Sequence, residues 1–144
     1  MKTKDIVFLS ELFSLPETKL TKVMNDDSKF GIILLLPQLK DVEKKYKNLV
    51  KEAQNKLRDK QWDAYSQRLK VWQTEGDEAL SKEERDEISA YFSNANKSIT
   101  KFMEQELDKD VDLDITPIKD NIRQIILSND FCLPDVQRLM DISK

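Results

Sequence analysis

The chain has 144 residues, with 24 Lys and Arg against 27 Asp and Glu, a net charge of −3 and a pI near 5.2, so no overall basic excess marks it as a nucleic-acid binder. Apolar residues make up 39% and charged residues 35%, with two Gly and four Pro, a balance that favours helices and, because the apolar positions are periodic, excludes disorder. There is no His for triads, acid–base work or zinc, too little Gly for a phosphate-cradling loop, and one Cys, which rules out an internal disulfide and a cysteine metal cage.

Between Asp5 and Leu15, Ile6, Leu9 and Phe13 form one stripe, with Phe8, Leu12 and Leu15 beside it. This spacing predicts a short helix, with a strand through Ile6–Leu9 as the alternative. Pro16 ends it. Thr18–Met24 can add a turn or two of helix, and Asn25 to Ser28 reads as a loop or N-cap. From Ser28 the chain turns apolar. Pro37 means either a short helix over 29–36 before a long one, or one helix kinked there.

Beyond Pro37 the stripe is Leu39, Val42, Tyr46, Leu49 and Ala53. It changes phase at Leu57 and continues as Trp62, Tyr65, Leu69 and Trp72. Arg58 to Gln61 contains no Gly or Pro, so the expectation is a continuous helix with a rotating buried face, and a turn at 58–61 is the alternative. Thr74–Asp77 reads as a loop. Ser81 and Glu84 form a capping box that opens a helix with the stripe Ile88, Phe92, Ala95, Ile99, Phe102, ending near Leu107. Two long helices joined by a short loop should lie antiparallel.

Val111, Leu113 and Ile115 alternate with Asp112, Asp114 and Thr116, which predicts a short strand; Ile6–Leu9 or Arg123–Leu127 could pair with it. Ile118, Ile122, Ile125 and Ile126 fit a helix. Pro134 starts a last helix with Val136, Leu139 and Met140 inward. Cys132 is expected to be partly buried as a small apolar residue. The expected fold is therefore mainly α. It is one helical domain over 1–144: short N-terminal helices (1–36), a long antiparallel hairpin (37–109), then a minor β element near 111–116 and C-terminal helices (110–144).

The hairpin arms carry opposite charge, +4 over residues 38–60 and −8 over 75–114. Exposed pairs between them bias register more than they stabilise, and the same asymmetry could align copies of the chain in an oligomer. Lys44, Lys45, Lys47 and Lys51, with Tyr46 adjacent, admit a nucleic-acid reading, against the plainer one of a solvated helix face. Binding through so few lysines would be weak and salt-sensitive. Trp62, Tyr65, Leu69 and Trp72 read first as core packing. Near a hairpin tip they are also the best candidates for anchoring a protein partner.

Asp108 to Asp114 places Asp at every second position, like the opening of a calcium loop. A loop starting at Asp108 would put Leu113 and Lys119 where Gly and Glu are needed; one starting at Asp110 would put Ile115 and Asn121 there. No metal, cofactor or small-molecule substrate is expected. No stretch is long and apolar enough for a signal h-region or a membrane span, so the expectation is a cytoplasmic protein.

The order of Ser14-Leu-Pro16, the charged helix Leu39–Leu57, Phe102–Leu107, Val111–Ile115 with Pro117, and Leu133-Pro-Asp-Val136 resembles a group of short helical phage-encoded proteins of unassigned function. The resemblance implies a phage or prophage setting and carries over no active residues. Together these readings give a non-enzymatic interaction or assembly protein, oligomeric or bound to a host protein. The alternative is a nucleic-acid-associated regulator using the basic face of 38–60.

Overall fold

A computed structural model describes residues 1–14 and 25–144. The features expected at Leu15, at Pro16 and over Thr18–Met24 lie outside the described residues. The described chain is mainly helical, with seven α-helices, and divides into two compact units: Met1–Tyr46 with Leu107–Lys144, and Lys47–Glu106.

The first unit holds almost all of the buried apolar surface. Helix α1 (Thr3–Ser14) buries Ile6, Leu9, Leu12 and Phe13, so the segment is a helix and the strand alternative is set aside. Ser10 is fully buried on this helix, and its hydroxyl donates to the Glu43 carboxylate. That bond removes the cost of a stranded buried hydroxyl. The start of α1 is tied to residues 109–111. Thr3 N and Oγ1 donate to the Lys109 carbonyl at 2.9 and 3.0 Å, and Val111 N donates to the Met1 carbonyl at 2.8 Å.

These bonds make a single antiparallel bridge, Lys2 to Asp110. No strand forms among the described residues, and the β element expected near 111–116 is an extended strap instead. Its alternation is nevertheless real: Val111, Leu113 and Ile115 are half-buried, while Asp112, Asp114 and Thr116 are exposed. A strand needs a partner edge, and here the neighbouring chain has already entered a helix, whose amides bond within it. Asp114 ends the strap by accepting from the Thr116 amide at 2.9 Å.

Helix α2 (Asp26–Leu57) starts at Asn25, whose side chain accepts from Ser28 N at 2.9 Å, as the N-cap reading requires. It runs through Pro37 as one helix. Pro37 and Ile33 are both exposed, so the Ile33 carbonyl, which loses its donor to the proline ring, faces water. The opposite face buries Ser28, Gly31, Ile32, Leu35 and Leu39.

Three short helices close this core: α5 (Thr116–Lys119), α6 (Ile122–Ser128) and α7 (Leu133–Ile142), contributing Ile118, Ile125 and Leu139. Arg138 on α7 donates to the Lys4 carbonyl at 2.9 Å and sits 4.3 Å from the Phe8 ring centre, which fixes α7 to α1. Two expectations are corrected here. Met140 is 51% exposed because Leu139 takes the inward position of that turn. Cys132 is exposed because Phe131 takes the buried site, and Cys132 itself occupies the extended N-cap position of α7.

Gly31 is where α2 meets α5. A Cβ there would stand 2.3 Å from the Pro117 carbonyl oxygen and 3.0 Å from its carbon. Both neighbours are backbone and cannot swing aside. Gly31→Ala should therefore cost about 1–3 kcal/mol despite better helix propensity. Urea unfolding monitored by circular dichroism checks this through a lowered midpoint.

Candidate interaction face

The second unit comprises the last turns of α2, α3 (Lys60–Glu75), one 3-10 turn (Asp77–Ala79) and most of α4 (Lys82–Leu107). The continuous helix expected across 58–61 is corrected: α2 ends at Leu57 and a new helix starts at Lys60. Arg58 N turns back to the Asn55 carbonyl at 3.2 Å, and Asp59 caps α3 by accepting from Trp62 N at 2.9 Å. A capping Asp makes such a break without Gly or Pro. The change of hydrophobic phase at Leu57 is thus a junction between two helices.

At the far end of α3, Gly76 adopts φ +84°, a left-handed conformation that side chains disfavour. Its amide donates to the Trp72 carbonyl at 2.9 Å. Trp72 Nε1 donates to Asp77 Oδ1 at 2.6 Å, which holds the indole over the turn. Ser81 Oγ then accepts from Glu84 N at 3.1 Å, the hydroxyl half of the expected capping box.

Trp62, Tyr65, Leu69 and Trp72 are all half-buried. Trp62 meets Phe92 edge-on at 5.0 Å, Tyr65 stacks on Tyr91 at 4.1 Å and 9°, and Arg68 reaches Glu87 at 3.4 Å. The partner numbers fall as the α3 numbers rise, so α3 and α4 run antiparallel. Each ring pair is worth about 0.5–1.5 kcal/mol beyond its buried area.

Leu69 and Trp72 leave an open groove beside α4, about 700 Å³, floored by Ile88, Phe92 and Asn96 and continuing to Thr100 and Glu104. A second groove of about 370 Å³ lies between Leu49, Ala53 and Leu57 of α2 and Ile99 and Phe102 of α4. Within 47–106 Ile88 is the only fully buried apolar side chain. The stripes predicted from spacing exist, but they are covered on one side only.

The basic candidates Lys44, Lys45, Lys47 and Lys51 are exposed on α2, and Lys45 is ion-paired with Asp41 at 2.9 Å. Lys44 and Lys45 belong to the first unit, Lys47 and Lys51 to the second. Three of the four aspartates that resemble a calcium loop are otherwise engaged, and Asp112 is exposed. Asp110 lies 3.4 Å from Lys2, Asp108 lies 3.8 Å from Lys4, and Asp114 caps Thr116. Among the described residues, no helix is long and apolar enough to cross a membrane, and no cluster of His, Cys, Asp and Glu could hold a metal.

One surface escaped the sequence reading. Phe30, Ile33 and Leu34 are 61%, 64% and 51% exposed on α2. The signal was present: 30–36 is apolar on all sides, and a helix with one packed face leaves the other face to solvent. No family model, curated protein or solved structure matches the chain.

Glu87 joins the two helices chemically. Tyr65 OH donates to its Oε1 at 2.7 Å, and this bond, then Arg68, holds the carboxyl below its usual pKa of 4.5. The same bond, then burial, raises Tyr65 above 10.0. The depressed carboxyl stabilises the pairing above pH 4.5, and that contribution is lost as pH falls through its lowered value. The raised phenol stabilises it below pH 10.0, and that contribution is lost as pH rises through its raised value. The near-UV circular dichroism of the aromatic cluster should therefore weaken at both extremes. Glu87→Gln should remove the acid limb while leaving the spectrum at neutral pH intact.

Proposed function

We propose that this protein is a non-enzymatic interaction or assembly protein, and that the groove between α3 and α4 receives apolar side chains of a protein partner. The observation that carries the reading is the shortage of burial in 47–106. Three amphipathic helical segments there fully bury only Ile88 among their apolar side chains, and Leu69, Trp72 and Phe92 line an open groove. Half-exposed aromatics beside an apolar floor are what a partner's anchors exploit. The antiparallel α3–α4 contacts support a hairpin scaffold within the wider 37–109 segment.

On this reading the protein acts in the cytoplasm, as one member of an assembly. A phage or prophage setting rests on the order of elements along the chain, and neighbouring genes test it. None of Lys44, Lys45, Lys47 and Lys51 lines the groove, so protein capture and nucleic-acid binding have separate determinants.

Ser93 and Asn96 are exposed positions at the groove and have no part in the ring contacts. Ser93→Arg should fill the groove, leave the far-UV spectrum unchanged and abolish capture of a specific partner from host lysate. Capture that survives Ser93→Arg but is lost in Lys44→Glu/Lys51→Glu, with salt-dependent retention on DNA, would favour the nucleic-acid alternative.

A further inference from the structure

We propose that the solvent face of α2 between Asp26 and Lys40 is a self-association surface, on which a second copy of the chain lays its own α2 antiparallel. This surface belongs to the first unit and is independent of the groove in 47–106.

At about 100° per residue, Phe30, Ile33, Leu34 and Pro37 fall within a sector of about 100°. The buried residues Ser28, Gly31, Ile32, Leu35 and Leu39 occupy the opposite sector. The stripe is therefore not a ragged edge of the core. It is a second apolar face, continuous over two turns, on a helix whose first face is already packed. Its members are 61%, 64% and 51% exposed at Phe30, Ile33 and Leu34, and Pro37 is also exposed.

The charges at its ends identify the occupant. Asp26 and Lys40 lie on the same flank, beside Ile33, at nearly equal distances from the midpoint between Ile33 and Leu34. Both are exposed and have no ion-pair partner among the described residues. A twofold axis through that midpoint, perpendicular to the plane of the two helices, brings matching flanks together. It sets Ile33 against Ile33 and Leu34 against Leu34 of the other copy, each level to within one residue, and Phe30 against Pro37 along the centre of the stripe. Asp26 comes level, to within one residue, with Lys40 of the second copy, and the symmetry makes this pair twice. Asp27, on the other flank, falls near the neutral Gln38. Asp41, which comes level with Asp26, has its charge matched by Lys45 at 2.9 Å. A parallel pairing would set Asp26 and Asp27 against their own copies, and Lys40 likewise. The face is self-complementary only when antiparallel.

Its four apolar residues cover less than the about 800 Å² per partner of a standard interface, so the dimer is a micromolar one. Sedimentation velocity of the full chain from about 1 to about 500 µM should show a reversible monomer–dimer equilibrium. Ile33→Glu should raise the dimer dissociation constant about 100-fold or more with unchanged helix content, since Ile33 is on the solvent side. At low salt, Asp26→Lys and Lys40→Asp alone should each weaken the dimer roughly three- to tenfold. The double charge reversal should restore it. A dimer indifferent to Ile33→Glu, or a double reversal no better than the single ones, would overturn the proposal. So would a monomer at every concentration.

Discussion

Unequal burial governs this molecule. Ile6, Leu9, Leu35, Leu39, Ile118, Ile125 and Leu139 are sealed inside the unit formed by 1–46 and 107–144, whereas the unit formed by 47–106 fully buries only Ile88. Burial of apolar surface is the main favourable term in folding, at about 25 cal/mol per Å². The first unit can therefore hold unusual features in place: a proline inside α2, a glycine against a carbonyl, an extended strap without a partner strand. The second unit has helical caps, ring pairs and a few ion pairs in place of a deep core. Its helices are well formed locally and sparsely covered.

That contrast bears directly on function. A well-packed unit with apolar residues left on its outer surface, and a thin unit with apolar grooves, both present surface that water serves poorly. Three groups have shifted pKa values at local contacts: Glu87 and Tyr65 between α3 and α4, and Asp114 at the strap's end. In these three groups a local hydrogen bond is the largest cause, whereas Tyr46 and Tyr91 are raised first by burial. This chemistry serves local structure.

Much of the fold was legible because helix periodicity is a strong signal. The α1 stripe, the Asn25 and Ser81 caps and the loop at Gly76 all follow from spacing and cap chemistry, whereas the long hairpin expected over 37–109 is not established, its first arm being two helices. The failures have specific physical causes. Asp59 can end one helix and start the next by capping alone, so the lack of Gly or Pro was a poor guide at 58–61. The alternation at 111–115 correctly marked inward and outward residues, but alternation does not supply a partner edge. Pro37 did not end α2 because the carbonyl it deprives faces water. The candidate aromatic stripe was legible as a pattern. Its use in ring stacking, and the groove left beside it, depend on which α4 residues it meets, and that is tertiary information. The exposed Phe30–Pro37 face was hidden because an apolar run does not reveal which side will be packed.

The central claim is that 47–106 is underburied in the isolated chain. Native-state amide hydrogen exchange tests it most directly. Amides in α3 and in the middle of α4 should exchange through openings much less costly than those of α1 and the first half of α2. Protection in α3 equal to that around Leu9 and Leu35 would contradict it, and would mean that the thin unit is stable without a partner.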